Sequence, residues 1–298
     1  MTRKEAAQVS QVMLDIYRGI LFQNQQLAPG AEDEIVYDFD CPEFEELRQK
    51  YDLLKIAGRG SDFTRGKRLL HYLAPRLTHS SWYDNHIQCN ALRLLEYSLN
   101  KPEQGINCLN KSKILVECCL AVGIYARRVS IMPFSPYDFD NHVVAEIYDR
   151  ALGKWIMLDP TTDGYFIDGN KTPLSLLEMR SKFANAEFVT FVRANDSLKD
   201  IEKFPEKYRI TNGYICKNLF RFQVEKYSTF GEKGEFLHFV PLHYSVKDTE
   251  LANVKYRLDN LAPEHEEFRE KFAKRAAEAA KKGEPPRTNV GTMARSPL

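Results

Sequence analysis

Three residues in the middle of the chain are of the types that a thiol acyl-transfer reaction needs. Cys108 would supply the nucleophile, His142 the base, and Asp159 a carboxylate that orients the base. A neutral thiol is a poor nucleophile, and a helix N-terminus and a neighbouring imidazolium both favour the thiolate. This chemistry therefore requires that Cys108 begin a helix and that the other two side chains lie beside it.

The residues that follow Cys108 predict a helix that begins at this cysteine. Apolar and small residues recur at helical spacing on one face, and polar residues occupy the other face. The buried face is predicted to carry Ser112, Leu115, Cys119 and Val122, and the polar face Asn110, Lys113 and Glu117. Gly123 stands where a left-handed C-cap residue is expected, and the sequence IYARRVSIM then predicts a strand.

His142 and Asp159 lie in two runs of alternating residues on either side of the sequence RALG, which is typical of a β-hairpin. If Asp149 pairs with Lys154, His142 lies one diagonal step from Asp159 on the same face. A slip by one residue would separate the two and scramble the opposite face. In the unslipped register that opposite face is wholly apolar, with Val143, Ala145, Ile147, Ile156 and Leu158.

The surroundings of these residues leave alternatives open. The backbone N–H of Cys108 would be one oxyanion donor, and the second has several candidates. The candidates are Gln104, Gln88 and Trp82. Three aromatic residues before His142 would either line a substrate groove or anchor their loop. They are Phe134, Tyr137 and Phe139. Asp138 and Asp140 beside them would either attract a cationic amine or be solvated.

Three blocks of this region resemble the core of the transglutaminase-like superfamily, in particular its bacterial-type members. The blocks are Cys108 with the later run CLAVGIYARRV, the tripeptide DNH that ends at His142, and KWIMLDPT with Asp159. They occur in the family's order, and the resemblance covers roughly residues 60 to 165. The family often has a glycine and an aromatic residue where this chain has Ile106 and Val144.

The resemblance implies an α+β fold with a papain-like core, in which a helical N-terminal part packs on an antiparallel sheet. It implies Cys108 as nucleophile, His142 as base and Asp159 as its orienting carboxylate. The expected reaction is acyl transfer from an amide of a peptide or protein substrate, to water in a peptidase or amidase and to an amine in a transglutaminase. Because the superfamily has inactive members, the alternative is a non-catalytic binding or scaffold module.

Composition argues against several other classes of protein. The 298 residues carry a net charge of +1, so no overall field attracts nucleic acid or an anionic membrane. The longest apolar runs are too short to span a bilayer, and the N-terminus lacks the pattern of a signal peptide. Six cysteines are sparse for this length, which favours reduced thiols and a cytoplasmic location.

No cofactor or metal is expected, since only His86 and Cys89 have a ligand-like spacing and no second pair accompanies them. The oligomeric state is left open. The predicted domains are a helical extension over residues 1–58, the catalytic core over 59–190, and a β-rich extension of the sheet over 191–250. A charged helix and a disordered tail are predicted over 251–298.

Local patterns refine the flanking elements. A first helix over residues 5–27 is predicted to bury Val9, Val12, Met13, Ile16, Ile20 and Leu21. A second helix from Pro42 to about Gly58 is predicted to bury Phe44, Leu47, Tyr51 and Leu54. Ser61 is the expected N-cap of the next helix, and Thr172 with Pro173 is expected to start a later one. Strands are predicted between Tyr214 and Tyr244.

Overall fold

A five-stranded antiparallel sheet lies at the centre of the fold, with helices packed on both of its faces. The structure, a computed structural model, describes residues 3–195 and 205–298. The helices are α1 Arg3–Gln23, α2 Pro42–Lys50, α3 Leu53–Ala57, α4 Asp62–Leu73, α5 Ala91–Asn100, α6 Cys108–Ala121, α7 Leu176–Ala184, α8 Pro205–Asn218, α9 Val246–Asp259, α10 Arg269–Lys281 and α11 Val290–Ala294. The strands are β1 Val36–Tyr37, β2 Ala126–Met132, β3 His142–Asp149, β4 Lys154–Leu158, β5 Gly164–Asp168, β6 Val189–Arg193, β7 Arg221–Glu225, β8 Tyr227–Ser228 and β9 Phe236–Phe239.

The sheet has the strand order β4-β3-β2-β7-β9, so β3 is flanked by its hairpin partner and by β2. The predicted hairpin register is confirmed, since Asp149 pairs with Lys154 and Ala145 pairs with Leu158. β7 and β9 extend the sheet beyond β2, as the aromatic-rich sequence before Tyr244 predicted. A separate two-stranded sheet joins β5 to β6.

Both faces of β3 are buried, which fixes the position of the residue at its start. The predicted apolar face packs under α6, and Ile147 and Leu158 on this face are completely buried. Val144, on the opposite face, belongs to a second apolar cluster that includes side chains of α1, α7 and α8. Full burial of one such aliphatic side chain stabilises the fold by about 1.5–3 kcal/mol.

Helix α6 begins at Cys108 as predicted, and the side chain of Asn107 caps it by accepting a hydrogen bond from the backbone N–H of Asn110. Gly123 follows the helix with φ of +78°, the left-handed conformation that the sequence predicted. The predicted polar face is wrong, because Lys113 and Glu117 are completely buried. The segment from β7 to β9 covers that face and supplies the partners that these charges need.

In two of the predicted helices, some residues that were expected in the core are exposed in the structure. In α1, Leu21 is buried as predicted, but Val12 and Ile16 are about half exposed, and Leu14, which was not predicted to be buried, packs on the side that faces α7 and α8. The side chain of Val9 lies outside the described part of the structure. The second predicted helix is interrupted at Asp52, whose left-handed φ of 51° separates α2 from α3. This break rotates the following residues, so that Leu53 is buried and the predicted core residue Leu54 is exposed.

Two predicted boundaries in the second half of the chain are also wrong. Helix α7 begins at Leu176, after Thr172 and Pro173, because Ser175 and Glu178 form a capping box there. Ile215 and Cys216 lie in α8, although a strand was predicted from this point. They join the apolar cluster that contains side chains of α1, and the strand begins only at β7.

The C-terminal tail, predicted to be disordered, is ordered and packs on the rest of the chain. The backbone N–H of Thr288 donates to the carbonyl of His238 in β9 at 2.9 Å. Met293 in α11 is completely buried, and its carbonyl accepts a hydrogen bond from Arg127 Nη2 at 2.7 Å. The tail is therefore held by backbone hydrogen bonds and one apolar anchor, which its overall composition does not reveal. Within residues 3–195 and 205–298, no helix combines the length and the apolar character needed to cross a membrane.

Candidate active site

His142 and Asp159 form a buried hydrogen-bonded pair at one end of the central sheet. His142 is the first residue of β3 and Asp159 directly follows β4. The Nε2 atom of His142 lies 3.0 Å from Oδ2 of Asp159, and the two residues are 3% and 0% exposed. Asp159 is itself held by the backbone N–H of Thr161 and by the hydroxyl of Thr162, each at 2.8 Å. The carboxylate is therefore fixed from three directions.

Cys108 meets this pair from the start of α6. Its side chain is partly exposed, and the thiol is one of the groups that raise the pKa of His142. Because Nε2 of the ring is bonded to Asp159, Nδ1 is the nitrogen left for the thiol. The structure thus brings together the three residues that the sequence singled out, on three different elements.

Opposing effects of burial and charge set the protonation of the pair. Burial lowers the pKa of His142, but the charge and hydrogen bond of Asp159 and the contact with Cys108 outweigh it and raise this pKa to about 10. Burial raises the pKa of Asp159, but the charge of His142 and the hydrogen bonds from His142, Thr162 and Thr161 hold this pKa below its usual value. At neutral pH the pair is an imidazolium and a carboxylate.

Lys111 is a buried cation near the same site that the sequence analysis missed. It lies one turn after Cys108 on α6, is 2% exposed, and its Nζ is 3.5 Å from the carbonyl of Ala74. Burial lowers its pKa, whereas the charges of Asp159, Asp163 and Cys108 act in the opposite direction. The sequence signal for its position was the spacing, because residues three apart on a helix lie on the same side.

Tyr214 of α8 covers the imidazole, and its segment also binds the loop before β3. Its ring lies edge-on to the His142 ring with centroids 5.5 Å apart, and its hydroxyl donates to Oδ1 of Asp140 at 3.1 Å. Lys217, one turn later, lies 2.9 Å from Asp138 and 3.6 Å from Asp140. Both aspartates thus have partners within the chain. Tyr214 escaped the sequence analysis because the following residues were predicted to form a strand.

The three aromatic residues of the loop 133–141 pack against the chain's own aromatic side chains. Phe134 contacts the ring of Phe220 with centroids 5.1 Å apart. Tyr137 and Phe139 contact the ring of Tyr256 in α9 at 5.1 and 5.7 Å. These contacts match the loop-anchor alternative for Phe134 and Tyr137, whereas Phe139 also lines a large cavity.

Two of the three oxyanion candidates belong to a different surface. Oε1 of Gln104 accepts a hydrogen bond from the hydroxyl of Tyr97 in α5. Gln88 is exposed and lines a surface cavity together with Tyr97. The two glutamines therefore lie around Tyr97.

The third candidate, Trp82, lies on a segment that contacts the start of α6. Asn85 of this segment accepts hydrogen bonds from Nδ2 of Asn107 at 3.0 Å and from Nδ2 of Asn110 at 2.7 Å. The Trp82 side chain is 77% exposed. The segment thus packs beside the helix end that carries Cys108.

The residues with a metal-like spacing have other partners. Nδ1 of His86 is bonded to Asp84, and the Cys89 sulfur accepts from Nη1 of Arg128 at 3.4 Å. In the described part of the chain, no three His, Cys, Asp or Glu side chains group in a way that would hold a metal ion.

The sequence resemblance to a known family is confirmed by comparison with family models. Residues 55–160 match the model of the transglutaminase-like superfamily. This range extends from α3 to just beyond Asp159, so it contains all three residues of the candidate site. Comparison with curated proteins gives no match.

Proposed function

We propose that the chain carries out thiol-dependent acyl transfer on an amide substrate, because residues 55–160 match the transglutaminase-like superfamily. The observation that supports this most strongly is the meeting of Cys108 at a helix start with the His142–Asp159 pair. We also propose a papain-like arrangement of the core, since a cysteine-led helix packs against an antiparallel sheet in which strand β3 begins with histidine.

In the proposed reaction, the His142 imidazolium already holds the proton of the Cys108 thiol, and the thiolate sulfur attacks the carbonyl carbon of the amide. The backbone N–H of Cys108, at the free end of α6, donates to the oxyanion. His142 then returns the proton to the leaving nitrogen, which releases an amine or ammonia and leaves a thioester on Cys108. Asp159 keeps the imidazole oriented and stabilises its charged form.

The thioester is completed by water or by an amine, from which His142 again removes a proton. Water makes the protein a peptidase or amidase, and a lysine side chain or another amine makes it a transglutaminase. Incubation of glutamine peptides with and without a primary amine distinguishes the two. Deamidation that persists in the presence of amine identifies hydrolysis, and a peptide–amine adduct identifies transamidation.

Alkylation of cysteines with limiting iodoacetamide, followed by mass spectrometry over roughly pH 5 to 8, tests the proposal. Cys41 is an internal control, because it also stands at a helix N-terminus and is partly exposed. Its sulfur contacts Asp38 at 3.4 Å and Thr229 at 3.1 Å, and no imidazole is among these partners. We expect Cys108 to react faster than Cys41, and His142→Ala to abolish the difference.

The contrary result would favour a binding or scaffold module. If Cys108 reacts no faster than Cys41 in the wild-type protein, the thiol is not activated and the acyl-transfer proposal is wrong. If it reacts faster but equally so in His142→Ala, the helix N-terminus acts alone and the role proposed for His142 is wrong.

A further inference from the structure

A cavity of about 450 Å³ lies beside the candidate active site, between the sheet and the last two long helices. β2, β7 and the loop 133–141 form one wall, and α9 and α10 form the other. A volume of this size accommodates a small ligand or one end of a larger one. Asn141, which directly precedes His142, lines the cavity.

Arg221 lines this cavity and is buried, and the described residues include no carboxylate in an ion pair with it. It is 7% exposed, and its Nε has no hydrogen-bond partner among residues 3–195 and 205–298. The contact that the structure shows for its guanidinium is the ring of Tyr244, 5.7 Å away. A buried cation without a hydrogen-bonded partner destabilises the fold. An anionic ligand bound in the cavity would offset this cost.

Arg257 of α9, on the opposite wall of the cavity, is a second arginine whose Nε lacks a hydrogen-bond partner among the described residues. Its Nε is buried, and its guanidinium lies 4.2 Å from the ring centroid of Phe139. Burial and then the nearby charge of Arg275 lower its pKa. Two cations on this wall thus repel each other where water is partly excluded.

The charges around the cavity leave a positive excess. Arg221, Arg257, Arg275 and Lys282 line it, opposed by Asp138, Glu250 and Glu278. Asp138 is already bonded to Lys217 at 2.9 Å. Across the described residues, none of these carboxylates forms an ion pair with the three arginines.

We propose that this cavity binds an anionic group, a carboxylate or a phosphate, held by Arg221 and Arg257. The planar guanidinium matches both groups through paired N–H donors. Such a ligand would contact the loop that leads into His142, so the cavity is placed to select substrates with a negative group beside the reacting amide. The binding itself is independent of whether Cys108 is reactive.

Calorimetry on the full chain at constant ionic strength tests this with three probes. They are inorganic phosphate, acetyl-triglutamate amide and the matched neutral acetyl-triglutamine amide. We expect binding of phosphate, of the glutamate peptide or of both, and none of the glutamine peptide. Binding of the glutamate peptide alone assigns the site to carboxylates, and binding of phosphate alone assigns it to phosphate. Failure of both anions to bind overturns the proposal.

Two substitutions connect the binding to the cavity. Arg221→Met and Arg257→Gln should each weaken it at least about tenfold, because each removes one charged pair of donors. Arg59→Gln removes the same charge from an exposed position outside the cavity and should leave the affinity unchanged. In the absence of anion, Arg221→Met should melt no lower than wild type, since it removes an unpaired buried charge. Equal affinity in Arg221→Met, Arg257→Gln and wild type overturns the proposal, and Arg257→Gln alone decides it if Arg221→Met does not fold.

Discussion

The imidazole of His142 and the carboxylate of Asp159 are joined by a hydrogen bond of 3.0 Å, and neither side chain has appreciable contact with water. A buried ion pair of this kind is stable only when its remaining hydrogen-bonding groups also find partners. Thr161 and Thr162 supply them for Asp159, and Tyr214 covers the ring of His142. The pair is thus built to keep His142 charged in a dry environment.

Asp159→Asn should slow the alkylation of Cys108 at neutral pH. Burial of His142 persists in the variant, but the charge that raises its pKa is lost, so the pKa of His142 falls and the imidazolium disappears at lower pH. Each unit of this fall lowers the population of the charged form about tenfold above the pKa. The pH profile of the Cys108 alkylation rate measures this. Asp40→Asn, at an exposed site, is the control, and an Asp159→Asn profile identical to that of wild type would contradict the prediction.

Stability should also depend on pH through the same pair. His142 has a folded pKa raised to about 10, above an unfolded value near 6.5, so its contribution is complete below about pH 6.5 and is lost as pH rises through 10. Asp159 has a lowered pKa, so its contribution is present above about pH 4 and is lost as pH falls further. Urea unfolding of wild type and Asp159→Asn should therefore differ most between about pH 5 and 7. A difference that is constant with pH would argue that the pair does not titrate in this way.

Lys113→Met should destabilise the fold by about 3–5 kcal/mol, because it leaves the buried carboxylate of Glu117 without its cation, although Glu225 keeps Arg128 at 2.8 Å. Lys113 Nζ lies 3.3 Å from Glu117 and 3.4 Å from Glu225. Burial raises the pKa of Glu117 to about 7, and loss of Lys113 removes the charge that opposes this rise. Proton uptake by Glu117 relieves the unpaired charge at low pH, so the loss should be larger at about pH 8 than at about pH 5.5.

The measurement is urea unfolding of Lys113→Met and wild type at the two pH values. Lys55→Met, at an exposed position of α3, removes the same charge outside the buried network and should change the free energy of unfolding little. Equal losses for Lys113→Met at both pH values would show that Glu117 does not take up the proton.

Met293→Ala should lower the free energy of unfolding by about 2–5 kcal/mol, the usual cost of truncating a large buried apolar side chain. Met293 is completely buried, although it belongs to the tail whose composition predicts disorder. Chemical denaturation measures the loss. Leu298→Ala, at a residue that is 73% exposed, should have almost no effect. Similar small effects of both substitutions would indicate that the tail is not packed.

The site was predictable from the sequence because its determinants are local. The hairpin register follows from the alternation around RALG, and the start of α6 follows from helical spacing after Cys108. The register places His142 beside Asp159, and the packing of α6 against β3 brings the helix start with Cys108 to them. Two further contacts are equally local, because each joins residues three apart in the sequence. They are the cap of α6, between Asn107 and Asn110, and the hydrogen bond from Thr162 to Asp159.

The features that the sequence did not predict depend on contacts between distant parts of the chain. Lys113 is predicted to be solvent-exposed by periodicity, but Glu225 and the carbonyl of Thr229, from a distant segment, pack on it together with the local Glu117. The phase of α1 depends on its packing against α7 and α8, and the order of the tail depends on hydrogen bonds to Arg127 and His238. None of these partners can be recognised from the spacing of residues within one segment.

The interactions of Arg127 and Lys113 have a consequence for how the protein forms during synthesis. The segment that matches the family ends at residue 160, yet Arg127 is completed by Met293 and Lys113 by Glu225. A ribosome would deliver these partners only after the whole matched segment has emerged. Each cation has a carboxylate partner inside the segment, Glu146 for Arg127 and Glu117 for Lys113, but its remaining hydrogen bonds are made only later. A fragment cut at the family boundary should therefore not reach the native state on its own.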